Sequence, residues 1–296
     1  IANQPAEYQA SYNKARAAAI LAAQQGVADF ASDSGNKQQG STDALGNAES
    51  HGYQTASQGY SDEDSGSTTS NNDPSYIAGI KLSTDKAQGV NDAINSPNQG
   101  SSYNGRDAAQ KAAYAATVSG YKDGANAVND NSQPTDSTQA KVYADAYRDA
   151  YKQGRLQSSL GARSYTRNRP MNSDDALSAE AQQIGYNKAQ DGFSDGLKGQ
   201  TNSDNPSYVT GNDAAKSAQT GLSEAEAGNK NSQNSVADTA SYADAQTAYN
   251  DASTALASNP DDVSVSQTNN TPAYQYAYNQ AKQDLNAQYV KGKQQF

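Results

Sequence analysis

Alanine and tyrosine recur along this chain at helical spacing, and clusters of Ser, Asn, Asp and Gly interrupt them. Tyr8, Tyr12, Ala15, Ala19 and Ala23 follow steps of three and four residues, as do Tyr143, Tyr147 and Tyr151. Such steps put each set on one face of a helix. Tyr53, Ala56, Gly59 and Tyr60 line one side of another. The apolar windows predict helices over 4–31, 42–62, 74–96, 104–129, 137–158, 173–199, 206–228, 239–258 and 272–292. Alternation with period two is nearly absent, and Val263-Ser264-Val265-Ser266 is the one short strand candidate.

Several starts have a local cause. Pro5, Pro74, Pro206 and Pro272 each precede a tyrosine by two or three residues. Proline suits the first helical position, because its φ is already helical and its missing N–H would be unpaired there anyway. Asp73, Asn205 and Thr271 stand just before three of these prolines, where their side chains can accept from first-turn amides.

The pattern also repeats over a longer distance. Gly52-Tyr53-x-x-Ala56-x-x-Gly59-Tyr60-Ser61-Asp62 returns as Gly185-Tyr186-x-x-Ala189-x-x-Gly192-Phe193-Ser194-Asp195, an offset of 185 − 52 = 133. Asp73-Pro74-Ser75-Tyr76-Ile77-x-Gly79 returns as Asn205-Pro206-Ser207-Tyr208-Val209-x-Gly211. Tyr-x-x-x-Tyr-x-x-Ala occurs at Tyr8, Tyr143 and Tyr274. The sequence therefore reads as all-α tandem repeats of about 130 residues: unit 1 over 1–142, unit 2 over 143–273, and the first helix of a third over 274–296. Alanine and glycine let helix backbones approach, and tyrosine fills the gap with its hydroxyl at the wet edge. Such a thin core suits an elongated solenoid or an array of bundles. The recurrent Tyr8, Tyr143 and Tyr274 read as structural. Gly52, Gly59, Gly185 and Gly192, helical in both copies, read as points of close approach, with alanine the milder replacement and leucine the disruptive one.

Composition limits the function classes. Leu, Ile, Val and Phe make up only 29 of 296 residues, within the range of disordered chains. The helical spacing, the placed prolines and the kept repeat length argue for order instead. The formal net charge is −10 and no basic stripe is present, so nucleic acid is not an expected partner. Cysteine is absent, which excludes disulfides and thiolate chemistry. No apolar run approaches the ~20 residues of a membrane span, so membrane insertion is not expected. The chain begins at Ile1 rather than Met and reads as a piece of a longer protein whose targeting and anchoring parts lie outside.

Two motifs mimic chemistry. Gly192-Phe193-Ser194-Asp195-Gly196 fits the nucleophile-elbow pattern, but that motif needs a strand, a turn and a histidine. The single histidine, His51, has Ile184 at its repeat position, so packing explains the site better than proton transfer. Asp62, Glu63, Asp64 and Asp73 resemble a loose calcium loop, yet Ser67 and Asp73 stand where its glycine and bidentate glutamate belong. A solvated acidic loop is the better reading, and neither a metal nor a cofactor is expected. The best binding candidate is Tyr165, read as lying in an arginine-rich loop with Arg163, Arg167 and Arg169, outside the repeat motifs.

The Tyr/Ala/Gly helical repeats, the Asn/Gln/Ser/Thr excess, the missing cysteine and the low pI together resemble the repetitive regions of large cell-surface proteins of lactobacilli and related Gram-positive bacteria. That resemblance implies an extracellular, surface- or wall-attached location. The expected function is non-enzymatic adhesion to a host glycan or protein, mucus, matrix, a neighbouring cell or a bacterial wall polymer. The alternatives are a stalk that spaces another domain from the wall, and an accessory region of a secreted glycan-active enzyme.

Overall fold

The computed structural model describes residues 4–67, 69–105, 107–128, 137–228, 236–258 and 271–293. Among them the protein is all-helical, with nine α-helices, two short 3-10 turns and no strand. The strand candidate at 263–266 lies outside the described residues.

Two compact units form, Ile1–Asp123 with Asn129–Lys152, and Gly124–Val128 with Gln153–Phe296. The first holds α1 (Ala6–Ala31), α2 (Ala44–Asp64), α3 (Pro74–Asn95), most of α4 (Ala108–Asn126) and the first half of α5 (Ala140–Thr166). The second holds the rest of α5, α6 (Ala176–Leu197), α7 (Pro206–Glu226), α8 (Thr239–Ser258) and α9 (Pro272–Lys293). The unit boundary falls within α5, whereas the sequence repeat begins near its start.

Three of the four proline starts follow the expected chemistry, whereas Pro5 precedes α1 in an extended conformation (ψ 147°) instead of opening it. Pro74 and Pro206 open α3 and α7, and the preceding Asp73 and Asn205 side chains accept from the amides of Ser75 and Ser207 at 2.8 and 2.9 Å. Asp43 caps α2 by accepting from Leu45 and Gly46.

The two repeated motifs are the two sides of one helix–helix contact. A Cβ on Gly59 would lie 2.2 Å from the Tyr76 carbonyl oxygen, and one on Gly79 would lie 2.0 Å from that of Ala56. In the second unit Gly192 meets Tyr208 at 2.0 Å, and Gly211 meets Ala189 at 1.9 Å. Where the first helix of each unit crosses the second, Gly52 meets Ala23 at 2.0 Å and Gly185 meets Ser158 at 1.8 Å. These neighbours are backbone atoms and cannot swing aside. Alanine, the milder replacement beside leucine, therefore finds no room here either, so it is not expected to stabilise.

The aspartate of the first motif then receives the tyrosine of the second. Tyr76 donates its hydroxyl to Asp62 Oδ2 at 2.7 Å and accepts from the Thr69 amide. Tyr208 donates to Asp195 Oδ2 at 2.9 Å and accepts from the Asn202 amide. Each bond closes the loop between two helices and satisfies a buried phenol. Hydrogen bonds from Asn202 and Tyr208 hold the Asp195 carboxyl below its ordinary value.

Two expectations change. The helix read as ending at 158 runs to Thr166, because Gly161 serves a close approach to the Gln182 carbonyl rather than a stop. Tyr8 and Tyr12 are not core residues: they are 53 % and 42 % exposed, while Tyr147 is fully buried and Tyr278 nearly so.

Candidate functional site

Helix α5 ends in a left-handed turn at Asn168, whose φ is 47°. The amides of Asn168 and Arg169 return to the carbonyls of Tyr165 and Ser164, which satisfies two orphan acceptors of the last turn. This reversal folds Arg169 and Pro170 back beside the helix. A recess of about 500 Å³ results, lined by Leu160, Arg163, Ser164, Arg167, Arg169, Pro170, Asn172 and Gln182.

The recess brings together the three predicted arginines. Arg163 and Arg169 are exposed at its rim. Arg167 is half-buried and donates Nη2 to Asp238 Oδ1 at 2.7 Å. Among the described residues its Nη1 is buried without a hydrogen-bond partner. Gln182 forms a buried wall, with Nε2 donating to Gln157 Oε1 at 2.7 Å and to the Asn172 carbonyl at 2.8 Å. The chemistry offered is cationic and planar, suited to a carboxylate, sulfate or phosphate that can accept two parallel N–H bonds.

Tyr165 does not belong to this site. It lies inside α5 rather than in a loop, and its ring turns to the unit's core. It packs edge-on against Tyr186 and Phe193, with centroids 5.2 and 6.1 Å away. Burial, with Tyr186 beside it, pushes its phenol up to about 12. Phe30 holds the same position in the first unit, edge-on to Tyr53 and Tyr60 at 5.6 and 5.5 Å. The offset 165 − 30 = 135 equals that between Tyr8 and Tyr143. Sequence reasoning also missed Gln182 and Asn172; only their spacing from Glu49 and Lys37 of the first unit pointed to the same corner.

The other motifs are accounted for. Gly192–Gly196 lies within α6, so the strand and sharp turn of a nucleophile elbow are not there. His51 is not packed as expected: its side chain is 63 % exposed and Nε2 lies 3.1 Å from Asp73 Oδ2. Burial alone would raise the Asp73 carboxyl, but the His51 contact and the Ser75 amide bring it below its ordinary value. Of the acidic cluster, Asp62 accepts from Tyr76 and Gln58, Asp64 pairs with Lys86, and Asp73 caps α3.

A second cavity, of about 490 Å³, opens in the first unit. Its lining includes Arg16, Ile20, Ala23, His51, Asp73 and Ser75, from α1, α2 and α3. The chain matches no protein-family model, no curated protein and no solved structure.

Proposed function

We propose that this chain is a non-enzymatic tandem helical repeat region of a secreted or wall-attached protein, and that it adheres to an acidic surface glycan or wall polymer through the arginine recess of its second unit. The observation that carries the reading is the convergence of Arg163, Arg167 and Arg169 on one recess in a protein of net charge −10. Among the described residues neither Arg163 nor Arg169 has a carboxylate within ion-pair distance. The tandem-repeat reading is supported by glycine, tyrosine–aspartate and aromatic contacts that take the same form in both units. A stalk role, the second reading, draws on those same contacts, since they fix helices without asking for a ligand.

The test is binding of the purified protein to immobilised sialylated or sulfated mucin and to teichoic acid. A charge-assisted hydrogen bond contributes about 1.5–3 kcal/mol. Arg163→Ala with Arg169→Ala should therefore weaken binding at least tenfold while leaving the thermal melt in place. Arg167 is spared in this design because it ties α5 to Asp238. Equal binding by parent and variant would remove the recess from the mechanism. No binding by the parent to any of these surfaces would favour the stalk.

A further inference from the structure

The first helix of each repeat carries the same Tyr-x-x-x-Tyr-x-x-Ala line, covered in two copies and open in one. Val142, Ala146, Tyr147 and Ala150 of α5 are buried, and Tyr143 half-buried. Their counterparts Ala273, Ala277, Tyr278 and Ala281 of α9 are buried, and Tyr274 half-buried. The α1 counterparts Tyr8, Tyr12 and Ala15 are all exposed.

What covers the face is a small-residue helix. A Cβ on Gly120 of α4 would sit 2.5 Å from the Tyr147 carbonyl oxygen and 2.9 Å from the Ala150 Cβ. Tyr147 donates its hydroxyl to Asp123 of α4 at 2.8 Å. In α9, Tyr274 donates to Asp251 of α8, also at 2.8 Å. The last turn of α4 then finishes the contact in the second unit. Ser158 donates Oγ–H to the Ala125 carbonyl at 2.9 Å, and Asn205 donates Nδ2–H to the Asn126 carbonyl at 2.8 Å.

In the first unit, the counterparts of Ser158, Asn205 and Ser207 are Ala23, Asp73 and Ser75, and these three line the open cavity of about 490 Å³. The segment that occupies this place in the second unit is Gly124–Val128. Charge fits as well. A helix C-terminus carries a partial negative charge on its free carbonyls. Asp73 cannot donate as Asn205 does, but Arg16, which stands where α5 has Tyr151, lines the cavity and brings donors and positive charge. Glu7 and Ser11 replace Val142 and Ala146, so the matching line is confined to Tyr8, Tyr12, Ala15, Ala19 and Ala23.

We infer that the Tyr8–Ala23 face of α1 and the adjoining α1–α2–α3 cavity form an acceptor for one helix of the α4 kind, alanine- and glycine-rich and docked by its C-terminal carbonyls, supplied by a further repeat of this sort. This inference rests on the tandem-repeat reading.

The experiment places a second copy of residues 104–135 directly ahead of Ile1. Because 143 − 8 = 135, the added helix then precedes Tyr8 by the same number of residues that separate α4 from Tyr143. The tether makes docking intramolecular, so a weak contact is still occupied. Amide hydrogen exchange is followed by mass spectrometry over residues 6–23 and 140–158. In the parent, the α5 segment should exchange at least tenfold more slowly than the α1 segment. In the fusion, the α1 segment should slow by at least tenfold, and Gly120→Leu in the added copy should reverse the slowing. If α5 is no slower than α1 in the parent, the repeat reading itself fails. If α5 is slow but α1 is unchanged by the added helix, or Gly120→Leu makes no difference, the acceptor fails alone. Slowing of α1 in the parent by mucin or teichoic acid would assign the face to a glycan and also overturn it.

Discussion

The corner where the first helix of a unit ends over the second is built twice, with opposite charge. In the first unit it holds Phe30 against Tyr53 and Tyr60, and a left-handed Asp33 with φ 52°. In the second it holds Tyr165 against Tyr186 and Phe193, and a left-handed Asn168 with φ 47°. The backbone bonds match: Ser34 to Asp29, and Arg169 to Ser164. The other side chains of the corner do not match. Ala28, Asp29, Ser32 and Ser34 stand where Arg163, Ser164, Arg167 and Arg169 stand in the other copy. Asp29 is buried and satisfied by Lys37 at 3.2 Å and by Gln25 at 2.9 Å. Positions where helix backbones meet are held by steric fit, whereas the positions around the turn differ in chemistry between the two units. The recess proposed as a binding site therefore has no counterpart of like chemistry in the first unit.

The comparison breaks most visibly at the glycines. A Cβ at Gly185 or Gly52 meets backbone 1.8 or 2.0 Å away, so the two helices must separate. Leucine at either position should cost about 3 kcal/mol. Alanine gains about 1 kcal/mol of helix propensity and should still cost about 1–2 kcal/mol net. At about 2–4 °C per kcal/mol for chains of this size, the leucine variants should melt lower by about 6–12 °C. Gly292, with open space around it, is the control, and its alanine variant should not melt lower than the parent. Alanine variants at Gly52 and Gly185 that melt like the parent would mean the two corners are not tightly packed.

Much of this was legible in the sequence. The starts at Pro74, Pro206 and Pro272 were readable because proline and a capping side chain act locally. The glycine contacts were readable because a helix-breaking residue kept at one spacing needs a packing reason. Other features were not readable. The end of α5 was missed because Gly161 has the same composition signal whether it stops a helix or lets another approach. The exposure of Tyr8 and Tyr12 could not be read from α1, since burial depends on what lies above a face rather than on the face itself. The arginine recess was legible as a cluster but not as a cavity, because the reversal at Asn168 that closes it depends on backbone conformation.

The next effect is at the aromatic corner. Tyr165→Phe copies the residue that the first unit carries at this point, and should leave both stability and ligand binding unchanged. Tyr165→Ala removes a half-buried ring from two edge-on contacts and should cost about 2–3 kcal/mol, somewhat below the range for fully buried rings. Binding measured well below the melt should survive either change. A loss of mucin or teichoic acid binding in Tyr165→Phe would return this residue to the proposed binding site.

Tyr76→Phe sharpens the comparison between the loops. It keeps the ring and removes a hydroxyl that donates to Asp62 and accepts from Thr69. The expected loss is about 1–2 kcal/mol, since two hydrogen bonds of modest net value are removed. Proteolysis next to Thr69 should rise with it, since the hydroxyl accepts from that backbone amide. An unchanged melt and an unchanged cleavage rate would together mean that this bond does not hold the loop.

The smallest effect separates Asp73 from Asn205, which cap α3 and α7 in the same way but differ in charge. The Asp73 carboxyl sits below its ordinary 3.8 when folded, so it ionises more readily folded than unfolded. Its contribution is therefore fully present above pH 3.8 and is lost as the pH falls through the lower folded value. Asn205 has no such dependence. Asp73→Asn should keep the cap, because asparagine caps as well as aspartate, and the melt at pH 7 should barely move. Between pH 4 and about 2 the variant should lose stability less steeply than the parent. The pair with His51 is largely exposed, so solvent screening holds the difference below about 1 kcal/mol. Melts recorded in steps through that window read the slope directly. Identical slopes would mean that the carboxylate at Asp73 does no more for the first unit than the amide at Asn205 does for the second.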